Sequence, residues 1–218
     1  MTRCASRSDT GAPSLSELFE TSGIKRRFNP GATIAAQGER QAWVYMVARG
    51  CVRSCIYSPE GHRRVVRFRG PGSVLGLGLA AEWTTSEEAV DMAVLEAIPV
   101  AAFEAMLAAS PAAQRDLHDR MREEIEAHAA LLVLTSNSSA VDRVREFLKD
   151  FARSRKSGGL ISLPMSRRDI GDHLALSMES VCRAISTLKR DGEIDLKGAS
   201  FFRFPEQDAG GLAVHCAA

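Results

Sequence analysis

Residues 165–192 constrain the fold more than any other stretch of the chain, because their pattern fits two short helices about a tight turn. Ser166 can cap the first helix with its hydroxyl, and Ile170, Leu174 and Ala175 then fall at helical spacing on one apolar side. Leu176 and Ser177 supply the turn and a second cap. From Ser177 the next helix divides into two faces. Val181, Ala184, Ile185 and Leu188 point one way, and Glu179, Cys182, Arg183 and Ser186 point the other at i, i+3, i+4 and i+7. Lys189 and Arg190 suit the negative end of the helix dipole, and Asp191 with Gly192 stops the helix. Residues 194–196, the pair Lys197-Gly198 and residues 200–204 then read as strand, tight turn and strand. The sequence predicts a winged helix-turn-helix.

The polar face of the second helix carries the chemistry for reading duplex DNA. An arginine can hold guanine through two parallel hydrogen bonds and a carboxylate can accept from the cytosine amino group, each good pair giving roughly 1–3 kcal/mol of discrimination. Glu179, Cys182 and Arg183 are therefore the base-reading candidates, and Arg167, Arg168, Ser186 and Lys189 the phosphate candidates. An ordinary helical hairpin explains two helices alone, but not the caps, turn and wing together. The net charge of +1 gives no global basic signature. DNA contact must rest on local placement of Arg167, Arg168, Arg183, Lys189, Arg190, Lys197 and Arg203, a patch that Asp169, Asp172, Asp191, Glu193 and Asp195 dilute. A lone domain is then expected to bind modestly and with strong salt dependence, leaving the rest to dimerisation.

With 218 residues, 45% of them hydrophobic, the chain can build two cores. It has no apolar run of about eighteen residues, and Arg3, Arg7 and Asp9 interrupt the amino terminus. Neither a membrane span nor a secretory signal is expected, which predicts a cytoplasmic protein. The five cysteines, Cys4, Cys51, Cys55, Cys182 and Cys216, include no C-x-x-C pair, so thiols are expected rather than a disulfide scaffold or a closed zinc site.

Residues 1–13 read as a tail, and residues 14–110 as a β-roll. From Ile24 to about Val100, short apolar runs alternate with turn signals such as Asn29-Pro30-Gly31 and Pro59-Glu60-Gly61, the text of an antiparallel roll. The clearest strands cover 44–47, 51–57 and 64–68. Cys51 and Cys55 share a strand face with Arg53, where small apolar packing is the expected role. After a short helix over 100–107, Pro111 opens an unbroken helix to about residue 135, roughly 40 Å long. Leu117, Met121, Ile125, His128, Leu131 and Leu132 form a seam of near-heptad spacing along it, the expected dimer interface. Two copies would place two reading helices on two half-sites. Residues 137–139 read as a hinge before a helix over 140–153. The expected fold class is α+β: an amino-terminal antiparallel β-roll, a dimerisation helix at 111–136 and a carboxyl-terminal winged helix-turn-helix at 137–218.

This order resembles the CRP/FNR superfamily of bacterial transcription regulators over about residues 20–204. The resemblance rests on Ser166-Arg-Arg-Asp-Ile-Gly-Asp-His-Leu174 together with Glu179-x-x-Cys182-Arg183. It implies the FNR-like branch, whose Glu-x-x-Ser-Arg helix recognises TTGAT-type palindromes, with Glu179 and Arg183 as base readers and Cys182 at the serine position. That cysteine is similar to FixK-type regulators of microoxic and nitrogen-oxide metabolism. The resemblance also implies a homodimeric activator whose partners are double-stranded DNA and RNA polymerase. Beside Arg183, Cys182 is a candidate redox switch, since oxidation adds bulk or charge at the DNA face; equally, it can fit a close approach as serine would.

Cyclic nucleotide is not expected. The branch that binds it holds the phosphate with Gly-Glu-Leu and a following Arg-Ser, where this chain has Glu87-Glu88, two carboxylates that would repel a phosphate. An iron-sulfur cluster of the FNR type needs four cysteines, several near the amino terminus, where only Cys4 stands. No cofactor or metal is expected, although a ligand-gated regulator, with haem on His62 or Cys51 for example, stays open as an alternative. A metal-dependent roll enzyme needs clustered ligands, and His62 is the one histidine of the roll, so the chain reads as non-catalytic.

Overall fold

Side-chain alternation along the strands places apolar residues on both faces of the roll. The computed structural model describes residues 13–78, 80–155, 159–198 and 200–205; of the tail read at 1–13 all but Pro13 lies outside the described residues, as do residues 206–218 of the region read as the winged head. After α1 (Leu15–Ser22), the chain runs through β1 (Ile24–Phe28), β2 (Thr33–Ala35), β3 (Trp43–Arg49), β4 (Val52–Tyr57), β5 (Arg63–Arg69), β6 (Val74–Leu75), β7 (Ser86–Ala89) and β8 (Ala93–Pro99). These form two antiparallel four-stranded sheets, in the orders β1-β8-β3-β6 and β2-β7-β4-β5. Along β3, Tyr45 and Val47 point between the sheets to Val52, Trp83 and Leu95. Val44 and Met46 point outward to Leu15, Phe19, Ile98 and Phe103.

That outer layer explains an element the periodicity argument passed over. Helix α1 is anchored by Leu15 and Phe19, both fully buried, and is opened by a reciprocal capping box between Ser14 and Glu17. The box and the apolar i, i+3, i+4 spacing of Leu15, Leu18 and Phe19 were present in the sequence. Helix α2 (Val100–Ala109) buries Phe103 and Leu107 in the same cluster. Helix α3 (Pro111–Asn137) follows directly, with Ser110 as N-cap and Pro111 in the first turn, where its missing N–H costs nothing. Because α3 includes Asn137, the break before α4 (Ala140–Ser154) narrows to Ser138 and Ser139, and Ser139 caps α4.

The carboxyl-terminal part adds β9 (Ile161–Ser162), α5 (Arg167–Leu174), α6 (Met178–Arg190), β10 (Asp195–Lys197) and β11 (Phe201–Arg203). The wing is three-stranded, β10-β11-β9, since Ile161 and Ser162 pair with β11. Phe147, Leu148, Ile170, Leu174, Val181, Ile185, Leu188 and Phe202 make its core, each fully buried aliphatic or aromatic side chain giving roughly 1.5–3 kcal/mol. This core does not stop at the domain boundary. Cys51, Phe68 and Val90 of the roll join it, so the winged head is seated on the β4–β5 surface.

Candidate nucleic-acid interface

Local sequence fixes the helix-turn-helix. The Ser166 hydroxyl accepts from the Asp169 N–H at 3.1 Å while the Asp169 carboxylate accepts from the Ser166 N–H at 3.1 Å, a capping box that opens α5. The helix ends at Leu174. Ala175, expected on the apolar side, is instead the exposed C-cap with φ 56° and ψ 48°, because the chain must reverse there and a left-handed residue does so. Holding alanine in that conformation costs roughly 1–2 kcal/mol. Gly171 is also required by the turn: a Cβ on it would lie 2.5 Å from the Leu176 carbonyl oxygen. Ser177 then caps α6 by accepting from the Ser180 N–H at 3.1 Å.

Helix α6 separates as its spacing predicts. Val181, Ala184, Ile185 and Leu188 are buried, whereas Glu179, Cys182, Arg183, Ser186 and Lys189 are exposed. Hydrogen bonds from its own backbone N–H and from the Ser177 hydroxyl hold the Glu179 carboxyl below the usual carboxylate range, so it is an acceptor at neutral pH. The Ser186 hydroxyl donates to the Cys182 carbonyl at 2.9 Å. On α5, Arg168 is exposed and Arg167 half-buried, with burial pushing the Arg167 guanidinium down.

The acidic residues that dilute the basic patch are engaged. Glu193 pairs with Arg145, Asp195 with Arg203 and Asp191 with Arg190. Asp169 and Asp172 meet the roll. Asp169 accepts from Arg53 at 2.9 Å and from Arg63 at 2.7 Å, and Asp172 accepts from Arg63 at 2.6 Å. Burial alone would raise the Asp169 carboxyl, but the Ser166 hydrogen bonds and the two guanidinium charges outweigh it and hold the group down. His173, one residue on, lies 3.1 Å from the Val65 carbonyl through Nδ1 and meets Phe68 and Phe147 edge-on. Burial pushes its pKa down to about 4. Sequence reasoning missed this contact surface because its partners lie more than a hundred residues apart, beyond the reach of any local pattern.

The roll corrects the picture of two carboxylates facing a ligand. In the β4–β7 register Ser54 opposes Glu87 and Arg53 opposes Glu88, so the neighbouring glutamates point to opposite faces. Of this pair only Glu87 lines a cavity of about 290 Å³ between the roll and α3, together with Gln41, Gly76, Trp83, Glu82 and Glu124. It is almost wholly buried, accepts from Ser54 and Thr85 at 2.7 Å each, and is raised by burial. Arg69 reaches across the same cavity wall to Glu124 of α3 at 2.6 Å. Glu88 faces the head, bound by Arg53 at 2.7 Å and by the Tyr57 hydroxyl at 2.6 Å.

Cys51 and Cys55 are both fully buried, and burial pushes each thiol up to about 12, as packing residues require. The haem candidates are not brought together: His62 is exposed in the β4–β5 turn and Cys51 lies in the shared core. Among the described residues no group of three or more histidine, cysteine or carboxylate side chains could hold a metal, and no helix is long and apolar enough to cross a membrane.

The seam on α3 divides. Leu117 packs on the roll core and Leu131 on the head core of the same chain. Met121, Ile125, His128 and Leu132 remain exposed, with Ile125 at 69% and Leu132 at 67%.

Comparison with known proteins agrees with this architecture. Residues 25–110 match the cyclic nucleotide-binding domain family and residues 142–206 the Crp-like helix-turn-helix domain family. The nitrogen fixation regulation protein FixK of Rhizobium meliloti is 32% identical over 79% of this chain and 78% of its own length. The protein of the same name from Bradyrhizobium diazoefficiens is 29% identical over 88% of this chain and 84% of its own. The structure of FixK2 from Bradyrhizobium japonicum superposes with a TM-score of 0.79 at 28% identity, covering 84% of this chain and 92% of that one. The chain belongs to the Crp/Fnr family of DNA-binding transcription regulators, on its FixK-like branch. It is a regulator and not an enzyme, as its relatives are.

Proposed function

We propose that this regulator binds TTGAT-type palindromes as a homodimer without a small-molecule effector, activates transcription with RNA polymerase in microoxic or nitrogen-oxide metabolism, and is inactivated by oxidation of Cys182. One observation carries the reading: Glu179, Cys182 and Arg183 stand exposed on one face of a helix whose opposite face is locked in a core. Arg168 and Lys189 flank that face in solvent and serve as phosphate contacts, with Arg167 and Ser186 beside them. The exposed stripe of Met121, Ile125, His128 and Leu132 supports pairing of two copies through α3, with 14–110 as the roll and 137–218 as the head.

Independence from a ligand is supported by what fills the roll. A buried carboxyl in the cavity disfavours a phosphate, and the Arg69–Glu124 pair already ties the roll to α3. Fluorescence anisotropy of reduced, ligand-free protein tests the reading on TTGAT and ATCAA half-sites separated by four bases, against a scrambled duplex, before and after peroxide. Specific binding that peroxide abolishes in the parent but not in Cys182→Ser is expected. Equal affinity for both duplexes would refute ligand-free reading, and equal peroxide sensitivity of the Cys182→Ser protein would refute the switch.

A further inference from the structure

The head is joined to the roll by more than the linker. Asp169 and Asp172 lie one turn apart on α5, hence on one face, and meet arginines from two adjacent strands. Arg63 closes on both carboxylates, and Arg53 bridges Asp169 to Glu88 of β7. Four of the five paired groups of this bridge are largely buried, with side-chain exposures of 18% for Arg53, 19% for Arg63, 6% for Asp169 and 11% for Glu88, and Asp172 is at 24%. The Asp169 carboxylate at the same time completes the capping box with the N-cap Ser166, so the charge that grips the roll also helps start the helix. Helix α5 is in turn held against the turn into α6 at Gly171, where no side chain fits. The route from sheet to reading helix thus runs through short, directional contacts. None of it covers the reading face, since Glu179, Cys182, Arg183 and Lys189 all remain exposed.

We propose that Arg53 and Arg63 are positioning residues for DNA reading: gripping Asp169 and Asp172, they set the angle of α6 against the roll and hold the head ready in the ligand-free protein. This rests on the DNA-reading function proposed above. Bidentate or forked arginine contacts fix orientation as well as distance, which a hydrophobic contact alone does not. In a dimer, fixed heads place the two reading helices at a fixed separation, and half-site spacing then becomes a sharp requirement. Heads freed from the grip would sample many separations, and affinity for the correct spacing falls by the fraction of time both are in register.

The test measures anisotropy of the full chain on duplexes whose TTGAT and ATCAA half-sites are separated by three, four or five bases. The variants are Arg63→Ala, Arg53→Ala, Asp172→Asn and the charge-retaining Arg63→Lys. Arg63→Ala is expected to weaken binding to the four-base duplex about ten- to a hundredfold. Affinity for the three- and five-base duplexes should stay within about twofold, so that spacing preference collapses. Arg63→Lys, which keeps the charge and loses the fork, should recover only a minor part of the preference. A loss of folded protein lowers binding on every duplex alike and leaves the ratio untouched, so the ratio separates positioning from stability. Should Arg63→Ala fail to fold, Asp172→Asn decides, since that side chain lies at the edge of the network with 24% exposure. A parent-like spacing ratio in the variants would overturn the proposal. A parent that prefers no half-site duplex would instead refute the DNA-reading function beneath it.

Discussion

Replacing Gly171 with alanine tests the geometry on which the reading helix depends. The added Cβ would stand 2.5 Å from the Leu176 carbonyl oxygen and 3.5 Å from the carbonyl carbons of Leu176 and Ser177. All three are backbone atoms, so no side chain can rotate away. To reach ordinary van der Waals separation the turn must open by about 1 Å. Overpacking of this kind costs about 1–3 kcal/mol, and alanine returns about 1 kcal/mol of helix propensity because Gly171 lies inside α5. The Gly171 carbonyl also accepts the Leu176 N–H at 3.0 Å, a bond the opening weakens. The net expectation is a loss of about 1–2 kcal/mol, read as a lower denaturation midpoint at unchanged slope. Because α6 moves with the turn, specific DNA affinity should drop by about tenfold or more while non-specific binding at low salt persists. A Gly171→Ala protein that is more stable than the parent and binds as well would show that α5 and the turn do not approach this closely.

Three further outcomes follow from other parts of the molecule. His173 takes up a proton near pH 4 when folded and near 6.5 when unfolded, so the unfolded state binds more protons between those values and stability falls as the pH drops through that window. The ring is half-buried, which leaves about 1–2 kcal/mol of this dependence to be measured by urea unfolding at several pH values, and His173→Gln should flatten it. The double variant Ile125→Glu/Leu132→Glu should sediment as a monomer with a far-ultraviolet spectrum like the parent's, since neither side chain joins its own core; a persistent dimer would place the interface elsewhere. Glu179→Ala should relax selectivity at one base pair per half-site by about 1–3 kcal/mol, whereas an equal loss on all sequences would assign Glu179 no base.

What the sequence disclosed was local in origin. Ser166 and Ser177 announced the starts of α5 and α6, the two-faced spacing from Val181 to Leu188 separated core from reading surface, and Ser110-Pro111 marked the start of α3. Each signal acts within one or two helical turns, where hydrogen-bonding chemistry and periodicity decide the structure. The losses are tertiary. Asp169 and Asp172 read as acids spoiling a basic patch because Arg53 and Arg63 lie more than a hundred residues earlier. Leu117 and Leu131 fit a heptad seam as well as they fit the cores they help to close. Glu87 and Glu88 were legible in principle: adjacent strand residues face opposite ways, so only one of this pair could line the cavity. Ile161 and Ser162 are too short a run to read as β9 without β11 beside them.

Base reading by the exposed face of α6, as proposed above, depends chiefly on Arg183. The direct measurement is the affinity of the parent and of Arg183→Ala for a set of TTGAT palindromes in which each base pair is replaced in turn. If Arg183 reads a base, the variant loses about 1–3 kcal/mol of discrimination at a single symmetric position and keeps the parent's pattern elsewhere. A uniform loss at every position, with a shallower salt dependence, would make Arg183 a phosphate contact and rule out α6 as the helix that reads bases through it.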